Sequence, residues 1–458
     1  MASDGPEPVG SRGTGVLPSR SAAAGGTEPL GAVLDEVRLG DGGSRAEIVR
    51  HTGLSRGVVA QRLSDLAGAG LILDTEFAKS TGGRPARRIH FNAEAGTLLV
   101  ADVGATSIDV AITDLAGTIL ASRAEDADVA EGPEAVLERV QDLFDEVLAG
   151  ASGADGAPPW GIGIGVPGPV EFATGRPVSP PIMPGWNGHP VRDKFVERYG
   201  APVWVDNDVN IMALGEWRAG VARFHDNVVF IKIGTGIGAG VISDGYLHRG
   251  ARGSAGDVGH IQVTDDRSVV CRCGNIGCLE ALAGGHALAR EAQAAAADGR
   301  SAYLAQLLAA GSRLTARDLA AGATRGDPVC QELLQRSGHL VGAMLAGVVN
   351  FFNPSLIVIG GGVASAGDQL LAAVREAVYR RSLPLATRDL LILPSALGGR
   401  TGVIGAAAMV ADELFSPMHL DTTMSRSGMT DRGGRENTVR VGSPERENNV
   451  AQPVGGTA

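Results

Sequence analysis

Two glycine-led hairpins repeat in this chain at a fixed offset, and no other feature restricts its architecture as strongly. The run D-V-G-A-T-S-I-D-V-A-I-T-D from Asp102 to Asp114 aligns with K-I-G-T-G-I-G-A-G-V-I-S-D from Lys232 to Asp244, an offset of 130 residues. Gly104 falls on Gly234, Ile112 on Ile242 and Asp114 on Asp244. Two strand-turn-strand units of this kind predict two related lobes facing a cleft, unless glycine-rich hairpins coincide by chance. Turns of Gly, Ala, Thr and Ser let backbone N–H groups approach phosphates, which makes Asp102, Gly104, Thr106, Gly234, Thr235 and Gly236 candidate nucleotide contacts.

The surroundings agree with such lobes. From Thr97 onward, strands rich in Val, Ile and Ala alternate with amphipathic helices such as Pro133 to Leu148, the pattern of an α/β body over residues 93–415. Near its end an apolar strand runs from Asn350 into Gly360-Gly361-Gly362. Gly360 and Gly361 either approach an adenine or only tighten a strand-to-helix turn. Residues 1–29 and 416–458 are polar, glycine-punctuated and without apolar period, and read as disordered tails.

Residues 30–92 have a different pattern: three short helices and a hairpin, a winged helix-turn-helix. Leu30, Val33, Leu34 and Val37 share one face, Ser44 is placed to cap a second helix, and Ser55 a third. Val59, Leu63 and Leu66 form the buried side of that third helix. Ser55, Arg56, Gln61 and Arg62 then lie where a recognition helix meets DNA, and the hairpin tip offers Lys79 and Arg84 to phosphates or a minor groove. The bland alternative is a protein-interaction module with a solvated basic loop. Charge favours DNA: nine basic and seven acidic residues lie between 30 and 92, against twenty-four and thirty-six between 93 and 415.

Three of the four cysteines fall within eight residues, Cys271, Cys273 and Cys278, just after a glycine-flanked His260. Three thiolates and an imidazole suit a closed, tetrahedral, structural zinc site. No run approaches membrane-spanning length and no secretory signal opens the chain, so a reducing cytoplasm is expected, with the nucleoid when DNA is bound. Cys330 stands apart in a helical stretch and reads as a small core residue.

Asn207 and Asp208 end a strand and open a helix, where Asp208 is a candidate base for a sugar hydroxyl, though such a pair is also a plain helix cap. Gly165 to Pro169, Pro184 to Asn187, Asp257, His260 and Glu280 follow at intervals suited to one pocket. Polar groups with one tryptophan, Trp186, point to a carbohydrate.

These residues carry a resemblance to the ROK family of repressors, open reading frames and sugar kinases. C-x-C-G-x-x-G-C-x-E after G-H, the N-D pair, G-T-G-x-G-x-G and the late G-G-G cover residues 97 to about 414. The resemblance implies an actin-like, hexokinase-type (ribonuclease H-like) two-lobed body, zinc on His260, Cys271, Cys273 and Cys278, and sugar contacts from Asn207, Asp208, Asp257, His260 and Glu280. Asp208 would be the base of an ATP- and Mg2+-dependent kinase. Leu54-Ser-Arg and Gly82-Gly-Arg-Pro85 resemble the family's repressors, which add a winged helix to the body. The chain departs from kinases at Ala105, which adds a methyl group to a phosphate turn, and at Asp257, where a glutamate is usual. Val58 and Ala60 replace hydroxyl residues in the recognition helix. The expected function is a sugar-responsive repressor of carbohydrate genes, with operator DNA and a sugar or sugar phosphate as partners and a homodimer or homotetramer as its assembly. A sugar kinase with a DNA-binding head is the alternative.

Overall fold

A computed structural model describes residues 29–40, 42–77, 87–150, 157–364 and 368–433. Its head begins with α1 (Pro29–Leu39), α2 (Arg45–Thr52) and α3 (Arg56–Gly68). Ser44 and Glu47 form a reciprocal capping box on α2, and the Ser55 hydroxyl accepts from Val58 N at 3.3 Å to start α3. Gly53, at φ 67°, closes α2 in the left-handed conformation that glycine adopts without strain. Leu30, Val33, Leu34, Val37, Ile48, Val59, Leu63 and Leu66 are buried together, so the apolar spacing alone located this core. The wing follows as β1 (Ile72–Phe77) antiparallel to β2 (Arg87–Phe91), with Ile72 opposite Phe91. Its tip, carrying Lys79 and Arg84, lies outside the described residues.

The body contains β3 (Thr97–Val103), β4 (Ser107–Asp114), β5 (Ile119–Asp126), α4 (Pro133–Gly150), β6 (Gly161–Val166), a small ribbon of β7 (Val170–Glu171) and β8 (Arg176–Pro177), α5 (Val191–Tyr199), β9 (Val203–Asn207) and α6 (Asp208–Ala219). Then come β10 (Val228–Ile233), β11 (Ile237–Ser243), β12 (Tyr246–Leu247), α7 (Leu279–Ala283), α8 (Gly285–Ala297), α9 (Ala302–Ala309), α10 (Ala316–Thr324), α11 (Pro328–Phe352), β13 (Leu356–Gly360), α12 (Asp368–Arg381), α13 (Pro384–Thr387), β14 (Leu391–Pro394) and α14 (Thr401–Leu414). The first sheet has the order β5-β4-β3-β6-β9 and the second β12-β11-β10-β13-β14. In both, the repeated hairpin is antiparallel and its first strand pairs in parallel with the next long strand. The hairpin echo is therefore the visible part of a whole-lobe repeat.

The lobes meet through α6 and α14, the helices that follow equivalent last strands. A Cβ on Gly405 would lie 1.6 Å from Ile211 O, and one on Gly215 would lie 2.2 Å from Thr401 O, so hydrogen side chains allow the two backbones to touch. Each sheet is covered on its other face by helices. α4 buries Val136, Leu137, Val140, Leu143, Phe144 and Val147, each contributing roughly 1.5–3 kcal/mol when fully buried.

The head shares its core with the body. Phe91 meets Phe415 edge to face at 5.6 Å, and Arg38 of α1 donates to Asp412 of α14 at 2.9 Å. The folded chain also runs past Phe415, against the reading of 416–458 as a disordered tail. It forms α15 (Leu420–Gly433), with Leu420 and Thr423 buried and Met424 packed on the same core. Those few anchors, spaced one helical turn apart in an otherwise polar stretch, gave too short an apolar period to read.

Candidate functional site

Among the described residues, the Cys/His loop gathers four potential metal-ligating side chains in one place. One ligand atom each from His260, Cys271, Cys273 and Cys278 all lie within 4.8 Å of one another. Cys273 Sγ is 3.7 Å from Cys278 Sγ, and Cys271 Sγ is 3.6 Å from His260 Nδ1. A tetrahedral zinc with Zn–S near 2.3 Å separates its sulfurs by roughly 3.8 Å, so the donor set fits that ion. Backbone bonds hold the loop closed, Cys271 N donating to Asn275 O at 2.8 Å and Gly277 N to Val269 O at 2.8 Å. Cys278 is also the N-cap residue of α7, which places Glu280 in that helix's first turn. The imidazole Nε2 of His260 faces Asp257 Oδ1 at 3.8 Å, too long for a hydrogen bond but on the side away from the sulfurs.

The cleft centres on the end of β9. Asn207 does cap α6, its Oδ1 accepting from Val209 N at 2.9 Å and Asn210 N at 3.3 Å, while its Nδ2 donates to Gly168 O at 2.8 Å. The cap and the 165–169 loop are thereby tied together. Asp208 is buried, its Oδ1 accepting from Val209 N at 2.9 Å and its Oδ2 from Lys232 Nζ at 2.6 Å. Beside it the buried Asp206 accepts from Asn210 Nδ2 at 2.8 Å and from Arg249 Nε at 2.7 Å, and Arg249 stacks on Phe172 with its guanidinium carbon 3.7 Å from the ring centre.

Across the cleft, Glu280 Oε2 accepts from Ile237 N at 3.0 Å and lies so close to Gly236 that a Cβ there would come within 2.3 Å of it. Gly234 O accepts from Gly285 N and Thr235 O from His286 N, which fixes this turn to the start of α8. Gly360 and Gly361 stand beside it at the parallel end of β13. Their close neighbours are Phe230 and Ile233, so packing alone already demands glycine at both positions. In the other lobe Gly104 N donates to Ser107 O at 2.8 Å, and Asp102 is 8% exposed, with its Oδ1 buried and unpartnered. Burial pushes Asp102 up to about 7, against the pull of Lys232. The structure thus brings Asn207, Asp208, Asp102, Gly234, Thr235, Gly236 and Glu280 around one cleft, with His260 and Asp257 on the side of the Cys/His loop.

Three outcomes differ from the sequence reading. Trp186, expected as a sugar platform, is 0% exposed and donates its indole N–H to Val129 O, so it is a core ring. Lys232, Asp206 and Arg249 were missed as cleft residues. A lone lysine within the apolar strand V-V-F-I-K-I was a readable signal of a buried counter-charge. In the head, Ser55, Arg56 and Gln61 are exposed on α3, but Gln61 Nε2 and Arg62 Nη1 both donate to Asp65 at 3.0 Å.

The sequence profile of the ROK family matches residues 99–413, more than half of the chain. The chain belongs to the ROK family. Its repeated lobes are the actin-like, hexokinase-type fold of that family, preceded by a small winged helix-turn-helix. The xylose repressor of Caldicellulosiruptor bescii is 31% identical over 81% of this chain and 92% of its own length. The glucokinase of Halalkalibacterium halodurans is 33% identical over 68% of this chain and 94% of its own. Among solved structures, a ROK family transcriptional regulator homologous to the E. coli MLC protein aligns at TM-score 0.72 and 27% identity, over 88% of this chain and 98% of that one. A ROK family glucokinase from Streptomyces griseus, solved with glucose and AMPPNP, aligns at TM-score 0.60 and 33% identity, over 69% and 99%. These repressor and regulator relatives thus cover more of this chain than its body, whereas the glucokinases cover a share equal to the body alone.

Proposed function

We propose that this ROK protein is a sugar-responsive DNA-binding repressor of carbohydrate genes. The observation that carries the reading is the reach of the similarity: relatives named as a repressor or a transcriptional regulator cover 81% and 88% of this chain, more than its body, and relatives named as glucokinases cover 68% and 69%, the length of the body. In this reading α3 presents Ser55, Arg56, Gln61 and Arg62 to operator DNA, with Lys79 and Arg84 of the wing on phosphates. Asn207, Asp208, Asp257, His260 and Glu280 hold the hydroxyls of a monosaccharide or derivative, since the carboxylates accept from hydroxyl O–H groups and the amide and imidazole N–H groups donate to hydroxyl oxygens.

Zinc on His260, Cys271, Cys273 and Cys278 has a structural role here, holding His260 and Glu280 at the cleft rim. The four sulfur and nitrogen donors leave no open coordination position. A homodimer or homotetramer suits a two-fold operator. Among the described residues no helix is long and apolar enough to cross a membrane.

The test is fluorescence anisotropy of the full chain on its own promoter DNA, with xylose, glucose, their phosphates and amino sugars added singly. One of them is expected to weaken DNA affinity at least about tenfold, because a ligand shifts a two-state equilibrium only by its difference in affinity for the two states. DNA affinity indifferent to every sugar would overturn the reading.

A further inference from the structure

The repeat places two opposite charges at one position. Asp102 and Lys232 are the equivalent residues of the two hairpins, each one step before the end of its first strand and each paired with a glycine of the adjacent parallel strand, Gly165 and Gly360. The two-fold relation of the lobes turns both side chains into the cleft. There Lys232 reaches over to the other lobe and donates to Asp208 at 2.6 Å, and its ammonium also acts on Asp102 and Asp109. Burial works against the ammonium, yet Asp208 and then Asp102 more than offset it and hold its pKa above the ordinary lysine value.

A magnesium nucleotide does not fit this arrangement. Mg2+ is held by carboxylate and phosphate oxygens in a near-octahedral shell. Asp208 already holds the Lys232 ammonium on one oxygen and a backbone N–H on the other, and Asp102 lies within the field of the same ammonium. Moving a sugar proton onto Asp208 would also take from the Lys232 ammonium its hydrogen-bonded counter-ion and leave it the weaker pull of Asp102 and Asp109, which disfavours the transfer.

Building on the sugar-receptor reading, we propose that Lys232 is a resident cation that lets Asp208 accept hydrogen bonds from an uncharged sugar without taking its proton, so the body senses the sugar and does not phosphorylate it. A sugar phosphate is excluded by the same charges. Asp208 already takes up the Lys232 ammonium, with the carboxyls of Asp102 and Asp109 also acting on it, so a phosphate placed beside them meets negative charge that this ammonium does not offset. Lys232 is a positioning residue for Asp208 and a determinant of ligand charge.

Calorimetry on the wild-type chain with uncharged sugars and their phosphates, together with ADP release from Mg-ATP, tests this directly. The expected result is binding of an uncharged sugar, at least tenfold weaker binding of its phosphate, and no ADP formation. Mn2+ alone, followed by its paramagnetic resonance signal, then reports on the cleft. Lys232→Ser is expected to gain a Mn2+ site absent from wild type and from Lys232→Arg, which retains a cation. Sugar-dependent ADP release by wild type, tighter binding of the phosphate, or equal Mn2+ binding by wild type and Lys232→Ser would each overturn the role of Lys232. Failure of wild type to bind any sugar, charged or not, would instead overturn the receptor reading on which it stands.

Discussion

Arg38, in the first helix of the head, donates to Asp412 at 2.9 Å across 374 positions of sequence. Asp412 also receives Arg218, near the last turn of α6. Because α6 begins at Asp208, a single helix about 18 Å long joins the cleft to the carboxylate on which the head is seated. Removing the charge in Asp412→Asn leaves the buried Arg38 with Asp35 as its remaining ion-pair partner among the described residues and is expected to cost about 3 kcal/mol of head docking. Limited proteolysis should show earlier release of the head, and the sugar response of operator binding should shrink relative to wild type.

The crossing of α6 and α14 tolerates no side chain at Gly405. Gly405→Ala would push a methyl group into Ile211 O and separate the lobes' shared helices, at a cost of about 3 kcal/mol. Chemical denaturation measures the loss, and an unchanged midpoint would contradict the close approach.

Asp102 gives a pH signature. Its folded pKa, about 7, lies above the ordinary 3.8 because burial penalises its charge, so the folded chain binds this proton more tightly than the unfolded chain. Its contribution to stability is therefore full at acid pH, falls as the pH rises from about 4 to about 7, and is level above that. Asp102→Asn removes the slope. The variant should match wild type near pH 4.5 and melt roughly 3 °C higher at pH 8, read as the difference between the two melting curves.

Metal content tests the Cys/His loop. Cys273→Ser should fall from about one zinc per chain towards none by elemental analysis and lower the melting temperature, as chelation does for wild type. Sugar affinity should weaken with it, since Cys278 and Glu280 enter α7 together. Full zinc in the variant would refute the ligand set.

On the DNA face, Arg56→Ala is expected to weaken operator binding by about tenfold, within the range for one Arg contact, and to leave sugar affinity unaltered. Asp65→Ala releases Gln61 and Arg62 from their carboxylate partner and should raise affinity for unrelated DNA at low salt. Anisotropy titrations at two salt concentrations separate these effects.

What could be read in advance was set by neighbours in sequence. Ser44 with Glu47, Ser55 with Val58, the apolar periods of the head and α4, and the Cys-x-Cys run are local patterns whose geometry follows from helix and turn periods. The hairpin echo went further, because two copies of one motif imply one topology twice. The rest depended on residues brought together by folding: Lys232 with Asp208, Arg249 with Asp206, Arg38 with Asp412, and Leu420 with the core beneath it. Composition could not separate Trp186 as a platform from Trp186 as a core ring either, since an indole serves both and only the packing around Val129 decides. Local preference determined the pieces, while burial and charge pairing across the lobe interface decided which of them face the cleft.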